Sequence, residues 1–248
     1  MQIRFGIFAS GLLALSALMM AQQSAHAAAK AVVELFTSQG CSSCPPADKL
    51  AGKLAEDNDL IVLTLPVDYW DYLGWKDTLA NGKFSARQKA YAQSRGDTAI
   101  YTPQMVVNGR EHVIGSDKNA VEISVTRQIN RFHGLPVAVT MTTKDDAIVI
   151  DVAGADDAPD TATVWLATLD KTRSVEIKRG ENRGLTATYF NVVHELQPVG
   201  MWKGRAERFE LPRNEILDAD SNKGCAVIVQ IDRRGLPGAI VGAAMLRD

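Results

Sequence analysis

One stretch of this chain restricts its fold more than any other: a short apolar strand that breaks at two cysteines and restarts as a helix. Ala31 to Thr37 (AVVELFT) is mostly apolar and β-branched, the pattern of a buried strand. Ser38 to Asp48 (SQGCSSCPPAD) supplies a turn, the pair Cys41-Ser42-Ser43-Cys44 and two prolines. Apolar residues then fall at Ala47, Leu50, Ala51, Leu54 and Ala55, the spacing of a helix face. Proline fits the first helical turn, where its missing N–H costs nothing. Leu60 to Val67 is a second buried strand. Two strands joined through a helical crossover should run parallel.

The chain continues with an aromatic loop, Asp68 to Asp77 (DYWDYLGWKD), and a helix over Phe84 to Arg95 for which Ser85 is a candidate cap. A strand over Gln104 to Asn108 follows Thr102-Pro103. Asn108-Gly109 is a hairpin signal, so Glu111 to Gly115 returns antiparallel. Ser116 or Asp117 can cap a last helix with the apolar face Val121, Val125 and Ile129. After Gly134-Leu135-Pro136 the pattern changes to alternation. It marks seven short strands: Val137–Met141, Ile148–Val152, Thr163–Leu169, Val175–Lys178, Glu207–Leu211, Ala226–Ile231 and Ala239–Met245. Strands without a clear helix suggest an antiparallel sandwich. The expected division is a signal peptide over 1–27, an α/β domain over 28–133 and a β-sandwich-like domain over 134–248.

The start of the chain has the layout of an export signal. Arg4 is its only charge before Lys30, Phe5 to Met20 is almost wholly apolar, and Ala25-His26-Ala27 offers a cleavage site. The apolar run is shorter than the ~20 residues of a spanning helix, so removal is expected, leaving a periplasmic or secreted chain with no membrane span. The net charge of −2 and the lack of a basic stretch disfavour a nucleic-acid partner.

Chemistry concentrates at Cys41 and Cys44. Free N–H groups and the partial positive charge at a helix start stabilise a thiolate, the form that attacks disulfides. Cys41, nearer the exposed turn, is the expected nucleophile, and Cys44 the resolving thiol. A structural staple is a poorer reading, because closing so short a loop stabilises by only ~2 kcal/mol. A zinc site needs two further ligands, and His112, His133, His194 and Cys225 show no paired spacing. Haem attachment needs histidine where Pro45 stands. No cofactor and no resident metal are called for. Thr102 and Pro103 are candidate substrate-binding residues at the start of the third strand. Trp70 and Asp68 are candidates on the aromatic loop, which leaves the same sheet edge as the cysteines. Cys225 reads as a small buried hydrophobe, and Arg179 to Gly184 (RGENRG) as a turn.

These segments resemble a family of secreted bacterial proteins with a thioredoxin-like fold, catalogued as a domain of unknown function (number 1223). The resemblance rests on Val33 to Leu50, Val67 to Asp77, Tyr101 to Gly109, Arg179 to Gly184 and Tyr189 to Val193. It implies export and a thioredoxin-like first domain, in which a cis-proline at Pro103 faces the cysteine pair. It supplies no reaction. The residues themselves point to an exported thiol–disulfide oxidoreductase acting on protein or small-molecule disulfides, served by a redox partner protein. A copper(I) or other soft-metal module and a non-catalytic binding protein are the alternatives. Ser42-Ser43 between the cysteines leaves oxidant and reductant equally open.

Overall fold

A computed structural model describes residues 29–155, 161–217 and 221–246. The segment read as an export signal lies outside them. No helix of the described residues is long and apolar enough to cross a membrane.

The first half follows the expected order. β1 (Ala31–Thr37) leads through α1 (Pro45–Ala55) to β2 (Leu60–Pro66), and β1 and β2 pair in parallel from Ala31↔Leu60 to Thr37↔Pro66. A single 3-10 turn (Asp71–Leu73) precedes α2 (Gly82–Arg95). The cap of α2 is Asn81, whose side chain accepts from the Lys83 amide, and not Ser85. β3 (Gln104–Val107) lies antiparallel to β1 and forms a hairpin with β4 (Glu111–Ile114). Asn108 and Gly109 both take positive φ in that turn, as such a hairpin demands. α3 (Lys118–Phe132) starts at Asp117, whose carboxylate accepts from the Ala120 amide.

The second half departs from the expectation in two places. β5 (Val139–Lys144), β6 (Ala147–Val152), β9 (Glu207–Pro212), β10 (Lys223–Arg233) and β11 (Leu236–Met245) match five of the expected strands, and a short helix, α4 (Arg213–Ile216), follows β9. Thr163–Leu169 and the first two residues of Val175–Lys178 belong instead to a single strand, β7 (Ala162–Glu176). The sequence pattern misses β8 (Thr186–Trp202) altogether. Pro198, Gly200 and register shifts opposite β7 interrupt its alternation.

The overlooked strand joins the halves. Eight strands form one mixed sheet in the order β11-β10-β7-β8-β2-β1-β3-β4, and β8 meets β2 in parallel at Thr64↔Val192. Thr64 Oγ1 donates to the Phe190 carbonyl at 2.6 Å across this junction. β5, β6 and β9 form a separate antiparallel sheet.

Strand periodicity sorts the core by face. Val32 and Phe36 of β1 pack with Phe84 and Tyr91 of α2, together with Ala226 and Ile228 of β10. Ala31, Val33 and Leu35 face the opposite way, onto Ala47, Leu50 and Ala51 of α1 and Val121 of α3. On the far half of that second face, Cys225, Val227 and Val229 of β10 meet Ile148 and Ile150 of the small sheet. Cys225 is thus a buried core residue, and burial pushes its thiol pKa up to about 12. Between β1 and α2 the Arg87 guanidinium lies 2.7 Å from Glu34 Oε1 and also donates to Gln230 Oε1 of β10. A charge buried this deeply requires such partners.

Candidate redox site

The buried run of β1 ends at Thr37, and the chain turns through Ser38–Cys41 into α1. Cys41 N donates to Ser38 O, and Cys44 N to Cys41 O, each at 3.1 Å. Cys44 is the residue before the first helical turn, and its carbonyl accepts from Ala47 and Asp48. This winding brings the two cysteines together as a disulfide with a Cα–Cα distance of 5.4 Å. The sequence places Cys41 near an exposed turn, yet it is only 2% exposed, and Cys44 is fully buried. Ser42 and Ser43 are exposed instead, and Ser43 Oγ lies 3.5 Å from Cys41 Sγ. The sulfurs therefore sit one side chain below the surface.

Two loops converge on this turn. Asp77 Oδ2 accepts from the Gln39 amide at 2.7 Å, and Gln39 Oε1 accepts from the Trp75 indole at 2.8 Å. Asn182, in the loop between β7 and β8, donates to the carbonyls of Gln39 and Cys41, both at 2.9 Å. The RGENRG segment is thus a turn, as read, and also a clamp on the cysteine loop. Its long separation in sequence hid that contact, and only the shared resemblance of the two segments hinted at it.

Trp70 links the cysteine turn to the start of β3. A β-carbon on Gly40 would stand 3.0 Å from that of Trp70, and the Trp70 indole donates to Thr102 Oγ1 at 2.7 Å. Tyr72 stacks on Trp70 with 16° between the rings and is 77% exposed. The Thr102–Pro103 peptide bond is cis. Pro103 O accepts from Gly115 N, and a β-carbon on Gly115 would lie 3.3 Å from that of Ala47 in the first turn of α1. Asp68 is directed elsewhere: its carboxylate accepts from Ser85 Oγ on α2, and Gly82 packs against the same carboxylate.

Below the disulfide lies a feature that the spacing of the sequence did not single out. Asp48, one turn after Cys44, is buried and accepts from Thr37 Oγ1 at 2.7 Å. Burial, the Asp77 charge adding to it against that hydrogen bond, pushes its pKa up to about 7. Asp77 is raised as well, chiefly by burial. The Tyr189 hydroxyl on β8 is raised by burial and by both carboxylates, which puts all three groups in one electrostatic neighbourhood. Among the described residues no cluster of three or more His, Cys, Asp or Glu side chains is arranged to hold a metal ion.

The chain is similar over 90% of its length to protein AGR_C_4864 of Agrobacterium tumefaciens, a structural-genomics crystal structure. The two share 37% identity with a TM-score of 0.79, over 96% of that protein. It also resembles, in fold alone, HBP35 of Porphyromonas gingivalis, with 13% identity and a TM-score of 0.58 over 88% of this chain and 75% of that one. No curated protein matches it. A family profile covers residues 32–230, and by that match the chain belongs to the family described as protein of unknown function (DUF1223).

Proposed function

We propose that this protein is an exported thiol–disulfide oxidoreductase of thioredoxin-like build. The observation that carries the reading is the convergence of three parts: a disulfide at the start of α1, a cis-proline at the start of β3, and Trp70 spanning the gap between them. The strand order β2-β1-β3-β4, with α1 and α3 on one face and α2 on the other, supports a thioredoxin-like frame around that site.

In the reduced protein, the Cys41 thiolate attacks one sulfur of a substrate disulfide. A Cys41–substrate mixed disulfide forms, and the other substrate sulfur leaves as a thiolate. Cys44, deprotonated, then attacks Cys41 Sγ, restoring the internal disulfide and releasing the second substrate thiol. The substrate is reduced by two electrons, and a dithiol redox partner must return two electrons to the pair. The reverse sequence oxidises a substrate dithiol. Thr102 and Pro103 provide the edge on which an extended peptide rests, and Trp70 with Tyr72 forms an aromatic wall for its apolar part. Asp68, held by α2, serves to place the aromatic loop.

The decisive experiment is the reduction potential of the Cys41–Cys44 couple, measured by equilibration with glutathione or thioredoxin-type buffers. A value above about −300 mV fits exchange chemistry; one well below it fits a structural bond and rejects the proposal.

A further inference from the structure

A second site lies at the opposite edge of the sheet. β3 runs antiparallel to β1 with Val107 across from Val33, so the β3–β4 turn lies beyond the start of β1, whereas the disulfide lies beyond its end. Beside that turn a cleft of about 400 Å3 opens, a volume within the ~300–1,000 Å3 typical of small-ligand sites. Arg95, Arg110, Arg127, Arg131 and Arg233 line it, against the single carboxylate of Glu111.

Two of these arginines have partners. Arg127 pairs with Glu111 and Arg95 with Asp97, both at 2.7 Å. The helix dipole also favours cations at the ends of α2 and α3, which accounts for Arg95 and Arg131. Neither explanation reaches Arg110, on the β3–β4 turn, or Arg233, at the end of β10. Among the described residues no carboxylate lies within ion-pair distance of Arg110, Arg131 or Arg233. The Phe132 ring contacts two of them, with the Arg110 guanidinium 4.2 Å and the Arg131 guanidinium 5.5 Å from its centroid. Burial, then repulsion from Arg233 and Arg131, lowers the pKa of Arg110. Arg95 Nη1 is buried and meets no acceptor among the described residues. Three like charges gathered around one cavity, in a chain of net charge −2, are unfavourable until an anion joins them.

We propose that this cleft binds a small, soluble polyanion carrying two or more phosphate or carboxylate groups, with Arg110, Arg131 and Arg233 as its main ligands. A monoanion would leave two of the three charges uncompensated. Guanidinium forks match both oxyanion types in paired hydrogen bonds. The site is independent of the redox chemistry and stands or falls separately from it.

The test is calorimetric titration of the oxidised mature protein with inorganic pyrophosphate and with citrate, at fixed physiological ionic strength. Saturable one-site binding of at least one probe is expected. Arg233→Gln, at the exposed end of β10, should weaken it about tenfold or more. Arg233→Lys should recover only part of the loss, because it restores charge without the fork. Lys203→Gln, which removes an equal charge outside the cleft, should change nothing. The proposal is overturned if neither probe saturates at millimolar concentration, or if Arg233→Gln and Lys203→Gln weaken binding equally. Binding to vesicles with phosphorylated headgroups, but to neither soluble probe, would also overturn it.

Discussion

Replacing Asp48 with asparagine should change how stability depends on pH more than it changes stability itself. Asp48 is buried on α1, and its pKa rises from 3.8 to about 7 on folding, mainly by desolvation. A raised pKa means that the native state holds the proton more tightly than the unfolded chain. Its contribution is therefore fully present below about pH 4 and is lost as pH rises through about 7. That rise in pKa corresponds to about 4 kcal/mol. The asparagine side chain would remain neutral, keep an acceptor for the Thr37 hydroxyl, and remove one of the charges near Asp77. The assay is urea unfolding of the oxidised protein from pH 4 to pH 8.5, where the disulfide leaves no thiols at 41 and 44 to titrate. The variant should equal the wild type within about 1 kcal/mol at pH 4.5 and exceed it by about 3–4 kcal/mol at pH 8.5. Parallel stability profiles would refute the assignment of a protonated, buried carboxyl beneath the disulfide.

Asn182→Ala removes two hydrogen bonds to the cysteine turn, each worth about 1 kcal/mol. Dithiothreitol should then reduce the Cys41–Cys44 bond about tenfold faster in stopped-flow, and an unchanged rate would show that the clamp does not control access. Trp70→Ala should slow exchange with a peptide disulfide more than it lowers the unfolding midpoint; a normal rate with a large loss of stability would make Trp70 a packing residue only. Cys225, with its thiol raised to about 12 by burial, should resist iodoacetamide in the native protein at pH 8 and react after unfolding, as read by mass spectrometry.

The parts of the fold written in local pattern were the ones open to reading. β1, α1 and β2 follow from apolar runs and prolines, the β3–β4 hairpin from Asn108-Gly109, and the α3 start from Asp117. β8 was hidden because its period is broken by Pro198 and Gly200 and many of its residues are neither buried nor exposed. Its role in the sheet depends on Thr64 and Val192, which lie far apart in the chain, and no local rule reaches that far. The candidate site divides the same way. Cys41, Cys44 and the cis bond at Pro103 could be placed from element order. Asn182 could not, because its function as a clamp exists only once β7 and β8 have folded back. Asp48 looks like an ordinary acidic residue in a first helical turn, where the dipole favours it. Only the packing of β8 and the aromatic loop around it makes it a buried acid.

The junction of β2 and β8 also has a mechanical meaning. The eight strands hang together there by the single register pair Thr64↔Val192, while the neighbouring β1–β2 and β7–β8 ladders run for many residues. Side chains reinforce it: Thr64 grips the Phe190 carbonyl, and the Phe190 ring presses on Gly52, where a β-carbon would come within 2.4 Å of it. Phe190 thus acts as a rivet at the short overlap, beside the α2–β10 packing that also joins the two panels, and the helix that starts at the disulfide bears directly on it.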